Sequence, residues 1–365
     1  MVVKFALNVD GRLTAVPAED PDWLTVRGAD VLASWPHEYD NDAENALWAR
    51  SVDWDTVQGY HGGVKQDCGY EAFAMNYAFT ALYPYIPSGY DRRLKLVLFD
   101  GDTQPQFDAK RRNFYAAFQF FTHYPKKRRM QVDLGISQGL FTEQVRPTIY
   151  SIGRRINFLD PQLRFWEWNH TELIHDRSTS IVDGAPQEVC MPKNRFLAAC
   201  CVSGKYNTSV VKWDLACTLT GFPIDYGGLY MGVRHDLPMH MRNRRRMAML
   251  YPWEYWWGDK AYVGCPHMVT EYKKPQNGQL TAREQDWNIT FQHYRARVEH
   301  LIREVKGPRL ALTTRWRGSF SLLSAVVRIN AHMTGLQERM KGPRYDCYGP
   351  WPVVSEDIFR RFPKQ

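Results

Sequence analysis

The spacing of apolar and polar positions changes several times along the chain, and each change marks a different kind of element. Residues 1 to about 100 mix Pro, Gly, Asp and aromatic residues without sustained periodicity, which predicts a loosely structured arm with short elements. From 107 to 157 the spacing becomes helical, and FDAKRRNFYAAFQFFTHYP puts Phe114, Phe118 and Phe121 on one face. Next, VDLGISQGLFTEQV predicts a helix, a turn at Gly135 and a second helix beginning near Ser137. That is the order of a helix-turn-helix, whose second helix can enter a major groove. Helical hairpins with a glycine turn also serve as plain packing units, so the pattern alone leaves both roles open.

Near 178 the period shortens. STSIVDGAP is a short β-branched run that ends in an acid, and SVVKWDLACTL and GFPIDYGGLY read as a second and a third strand. A helix around MHMRNRRRMAML leads to a further strand in WEYWWGDKAYVG. TAREQDWNITFQHYRARVEHLIREVKG is then a long helix, stopped by Gly307 and Pro308. Strands followed by a helix, a strand and a helix predict an α/β layered domain. No internal repeat or low-complexity tract interrupts it.

Composition narrows the class. At 365 residues, 44% hydrophobic and 24% charged, the chain is long enough for two or three domains and reads as globular. No apolar run approaches the roughly 18 to 20 residues of a membrane span, and MVVKFALNVDGRL lacks the apolar stretch of a signal peptide. A soluble intracellular protein without a membrane partner is expected. Seven cysteines with no CxxC pair suit a reduced state, and Cys265 with His267 is too isolated for a zinc motif. Charge is uneven: residues 1 to 70 carry 5 Lys/Arg against 12 Asp/Glu, a balance of −7 that leaves +15 for residues 71 to 365 within the total of +8. A basic body suggests a polyanionic partner, nucleic acid before membrane; a merely soluble basic surface is the plain alternative.

The candidate chemistry lies in three carboxylates. Asp183 ends one predicted strand, Asp259 ends another, and Glu299 lies on the long helix. On that helix Arg295, Glu299 and Lys306 fall at about 0°, 40° and 20° around the axis, one stripe beside the core-facing Val298, Leu301, Ile302 and Val305. Simple i,i+4 pairing explains Arg295 and Glu299 equally well from this helix alone. Three acids brought together repel one another, however, unless divalent cations neutralise them. Hard oxygen donors suit Mg²⁺ or Mn²⁺, and two such ions can serve in-line phosphoryl transfer.

Taken in order, IVDGAP (Asp183), GKYNTSVVKW, GVRHD (His235, Asp236), WWGDKAYVG (Asp259, Tyr262), DWN (Trp287, Asn288) and RARVEHLIREVK (Arg295, Glu299, Lys306) resemble the pattern of PIF/Harbinger-type DDE transposases. These are DDE superfamily endonucleases related to insertion-sequence transposases, and the resemblance covers about residues 107 to 335. It implies an α/β, RNase H-like mixed sheet flanked by helices and preceded by a helical, helix-turn-helix-like domain. The expected division is an acidic, aromatic-rich extension of unknown role over 1–105, the helical DNA-binding domain over 106–175, the catalytic domain over 176–335 and a tail over 336–365.

The resemblance further implies a metal-dependent DNA transposase or endonuclease acting in the nucleus. Asp183, Asp259 and Glu299 would be its catalytic acids and the ligands of two Mg²⁺ or Mn²⁺ ions. Asp236, next to His235, is the rival second acid or a supporting residue. Arg295, Lys306, Lys126, Lys127, Arg128, Arg129, Arg242, Arg244, Arg245, Arg246, Lys273 and Lys274 would contact DNA. Expected partners are double-stranded DNA (transposon ends and a target site), a separate Myb-like DNA-binding protein and a second copy of the chain. The related transposases carry a Tyr separated from the Arg by two residues; that position is Gln292, which moves the role to Tyr294 or removes it. Two rival functions remain: a domesticated derivative that docks DNA or a partner without cutting, and an unrelated hydrolase using general acid/base catalysis.

Overall fold

The computed structural model describes residues 4–7, 13–16, 63–87, 104–166, 178–252, 254–342 and 344–345. Near the N-terminus Lys4–Leu7 (β1) and Leu13–Val16 (β2) pair antiparallel. The main sheet is built around Ser178–Glu188 (β3), whose first five residues are all buried, as the continuous apolar and hydroxyl run STSIV requires of a central strand. Val202–Ser203 (β4) and Thr208–Thr218 (β5) follow, and β5 runs antiparallel to β3 with Asp183 opposite Leu215. Pro223–Met231 (β6) returns antiparallel along β5. On the other side of β3 lie Tyr255–Trp257 (β7) and Met268–Val269 (β8), both parallel to their neighbours. The order β6-β5-β3-β7-β8 is a mixed sheet in the RNase H-like arrangement that the resemblance implies.

Helices cover both faces. Gly63–Cys68 (α1) and Ala72–Leu82 (α2) come first, then Gln104–His123 (α3) and Met130–Leu134 (α4). Gly135 takes a left-handed φ of 66°, and Ser137 caps the next helix by accepting from the Leu140 N–H, so the predicted helix–turn–helix boundary is present. That second helix runs from Gln138–Leu140 through a π-helical turn, Phe141–Val145, into Arg146–Arg155 (α5). Arg195–Cys201 (α6), Asp236–Arg242 (α7) and Arg244–Met249 (α8) lie between the strands. The long helix is Ala282–Lys306 (α9), opened by a capping box between Thr281 and Glu284 and ended at Gly307. Phe320–Lys341 (α10) is the last described helix.

The Trp pair of β7 shows how the layers hold together. Successive strand residues point to opposite faces. Trp257 stacks on Phe291 of α9 at 5.2 Å, whereas Trp256 packs on the far side against His240 of α7. Trp257 belongs to a core that also contains Phe114, Phe118 and Phe121 of α3, so the helical region and the sheet share one apolar interior.

Two features of the organisation bear on the expected division. Within residues 63–87 the short elements pack on the core: Tyr70, Met75, Phe79 and Leu82 are buried in it, and the Tyr70 hydroxyl donates to Asn330 Oδ1 at 2.8 Å. The boundary expected at 335 falls inside α10, a helix buried on nearly all sides that shows no amphipathic stripe in the sequence. Most of residues 1–105 and of the 336–365 tail lies outside the described residues.

Candidate active site

Three parallel strands carry acids at a common level, although Asp183 lies in the middle of β3 and not at its end as the sequence pattern predicted, because β3 continues its pairing with β5 as far as Glu188. Ile181, Trp257 and Val269 are register partners across β3, β7 and β8, and Asp183, Asp259 and Glu271 each stand two residues further on. The first two were expected from the sequence; Glu271 was not, because a two-residue strand shows no alternation. Gly258 permits the turn after β7, since a Cβ there would lie 2.7 Å from the Tyr262 ring and 2.9 Å from Met268 Sδ. Asp259 then caps the short turn Lys260–Tyr262, its Oδ1 accepting from the Ala261 N–H at 2.8 Å.

From α9, Arg295 reaches in among the acids. Its guanidinium donates to Glu299 Oε1 at 2.6 Å and lies 4.0 Å from Asp183 Oδ2 and 3.8 Å from Glu271 Oε1. The other Glu271 oxygen pairs with Lys260 at 2.9 Å. Burial pushes the Asp183 carboxyl up to about 7; Arg295 opposes this, while the charges of Asp259 and Glu299 add to it. One arginine thus fails to neutralise the group, and the Arg295 Nε is buried with no hydrogen-bond acceptor.

Asp236 borders the same site. A Cβ on Gly184 would sit 3.2 Å from its Oδ1, which places Asp236 beside the residue that follows Asp183. It differs from Asp259 in its company: Lys212 lies 3.5 Å from Asp236 and donates to the Arg234 carbonyl, whereas Asp259 makes no ion pair among the described residues. His235 is exposed and makes no side-chain cap for α7.

Among the described residues no three His, Cys, Asp or Glu side chains stand close enough to hold a metal ion, and the Arg295 guanidinium lies among Asp183, Glu271 and Glu299. The donor chemistry nonetheless fits a hard divalent cation: several carboxylates gather at one place, and the Glu299 side chain, paired with Arg295, is 46% exposed.

The expected DNA contacts separate into groups. Lys126, Lys127, Arg128, Arg129, Arg242, Arg244, Arg245, Lys273 and Lys274 are exposed. Arg246 is a correction: it is fully buried, bound to Asp214 at 2.6 Å and Asp225 at 2.7 Å, and cannot reach a phosphate. Lys306 is half-buried and donates to the Pro186 carbonyl, which ties α9 to β3. Tyr294 does not take the place of a tyrosine at 292, since it is buried against Trp257.

No helix among the described residues is long and apolar enough to cross a membrane. No curated protein and no solved structure matches the chain. A family model described as DDE superfamily endonuclease matches residues 182–334, from the residue before Asp183 to the middle of α10. Over residues 182–334, then, the chain carries a DDE superfamily endonuclease domain.

Proposed function

We propose that the chain is a metal-dependent DNA endonuclease of the Harbinger transposase type, with Asp183, Asp259 and Glu299 as its catalytic acids. The observation that supports this most is the convergence of these three carboxylates at one end of the sheet with a single arginine among them. A purely structural cluster would be expected to close its charges, as buried ion pairs generally must.

In this reading Asp183, Asp259 and Glu299 would hold two Mg²⁺ or Mn²⁺ ions, which would supply the charge needed to activate a nucleophile and to offset the leaving oxygen. Asp183 is placed by the rigid central strand, and Asp259 keeps Oδ2 available because Oδ1 is engaged in the turn. Arg295, displaced from the acids, turns to Glu271 or to a phosphate oxygen. A water or a 3′-hydroxyl adds to phosphorus, and the opposite P–O bond breaks. Asp236, held by Lys212, supports the site without taking the second acid's place. The exposed basic residues supply phosphate contacts without sequence choice.

Nicking of a supercoiled plasmid with Mg²⁺ or Mn²⁺ tests this. Asp183→Ala, Asp259→Ala and Glu299→Ala are expected to lose about a thousandfold or more in rate, the effect of losing several kcal/mol of metal-derived charge stabilisation. Asp236→Ala should retain measurable nicking, and EDTA should abolish all of it. Loss in Asp236→Ala with retention in Asp259→Ala would exchange the two roles. DNA binding without nicking by any form, including on transposon-end DNA, would favour a docking protein.

A further inference from the structure

A cavity of about 600 Å³ lies away from the acids, between the C-terminal end of α3, the basic turn after it, the π-helical turn and the loop before α10. Its floor is apolar: Phe120, Phe141, Trp316 and Leu322 are all buried, and Phe120 packs on Phe141 at 4.6 Å. Its rim is cationic. Lys126, Lys127, Arg128, Arg146 and Arg317 are exposed, and none makes an ion pair with a carboxylate among the described residues. No Asp or Glu lines the cavity.

The cavity is also fixed to the catalytic strand. The Trp316 N–H donates to the Glu188 carbonyl at 2.8 Å, and the Trp316 carbonyl accepts from the Cys190 N–H at 2.8 Å. Along β3, Val189, which bridges to Trp316, stands about 20 Å from Asp183 at the usual strand rise.

We propose that this cavity binds an unpaired nucleotide of a DNA strand, with the phosphates on the cationic rim and the base against the apolar floor. Duplex backbone needs a basic surface but no apolar cavity, and inorganic phosphate needs no apolar floor. A single strand alternates flat apolar faces with anionic charge, which is the pattern of this site. The inference rests on the DNA-cleaving reading, since it takes the strand bound here to be the one presented to Asp183.

The test uses the full chain in EDTA, so that binding is read apart from cleavage. Fluorescence anisotropy would compare a labelled duplex carrying a three-nucleotide unpaired tail with the blunt duplex of the same sequence. The tailed duplex should bind about tenfold more tightly, within the range a stacked base supplies. Thr142 and Gln138 are exposed lining residues. Thr142→Trp, which fills the cavity without changing charge, should bring the tail advantage to within about twofold and leave blunt-duplex affinity and Tm unchanged. Gln138→Trp serves as the second variant should the first lower Tm. Equal binding of tailed and blunt duplex by the wild type overturns the inference, as does a tail advantage that survives in a folded filled variant. Displacement of the tail by a polyglutamate–tyrosine peptide as effectively as by an unpaired oligonucleotide overturns it too. Acid-dependent plasmid nicking without any tail preference would remove this inference alone, and absence of binding to either DNA would remove the functional reading with it.

Discussion

Two arginines, Arg246 and Arg295, each sit among carboxylates on the same sheet, and the two clusters behave in opposite ways. Arg246 is enclosed, bound to Asp214 and Asp225 at 2.6 and 2.7 Å, with all three side chains buried. Arg295 is 30% exposed; it holds Glu299 closely but stands 4.0 Å from Asp183 and 3.8 Å from Glu271. The first cluster holds its arginine at close range to both acids, which fixes α8 to β5 and β6, although the second Asp214 oxygen has no hydrogen-bond partner. The second is left with more negative charge than its arginine can neutralise. Charge content alone therefore does not distinguish the two clusters; burial and the distance from arginine to acid do.

The largest expected effect on this contrast comes from Arg246→Ala. Removing the cation strands two buried carboxylates and should cost about 3–5 kcal/mol of stability, measurable by urea unfolding. A loss under 1 kcal/mol would mean that Arg246 does not stabilise the two acids. Next, Glu271→Gln should leave Tm nearly unchanged but lower metal-dependent nicking by about 10- to 100-fold, as expected of a group that orients those holding the metal. An unchanged rate and metal requirement would remove Glu271 from the site.

Smaller effects separate the clusters by pH. The Asp183 carboxyl is raised to about 7 from its ordinary 3.8, so ionising it penalises the folded state increasingly as pH rises between those values. Asp183→Asn should therefore raise Tm by about 2–4 °C at pH 8, with little change near pH 4, while destroying activity. His240, beside Arg246, is lowered to about 2, chiefly by burial and then by the charge of Arg246. Its unfolded form takes up a proton below the ordinary 6.5 while the folded form does not, so stability is lost as pH falls from 6.5. His240→Gln should flatten that decline in a pH series of thermal melts below pH 6.5. An unchanged slope would place the acid sensitivity elsewhere.

Much of this fold was legible from local pattern. Short β-branched runs gave the strands, Thr281 with Glu284 and Gly307 with Pro308 bracketed the long helix, and Gly135 with Ser137 marked the turn. Those are effects of neighbours in sequence: capping, backbone freedom and alternation. Asp183, Asp259 and Glu299 could be proposed on the same basis, from predicted strand ends and a helical stripe, although β3 runs on beyond Asp183 to Glu188.

What the sequence could not express is what depends on distant partners. Arg246 shares a basic run with Arg244 and Arg245 and looks no different from them; only the arrival of Asp214 and Asp225 from other strands buries it. Glu271 follows a strand of two residues, and its place beside Arg295 exists only through pairing with β7. The helices of residues 63–87 and α10 are apolar around much of their circumference, so they carry no stripe and reveal themselves only when packed together. Local chemistry thus determined the elements and named the acids. Tertiary packing decided which charges were buried in close pairs and which were held apart, because burial and distance set the energy of a charge and neither is a property of sequence neighbours.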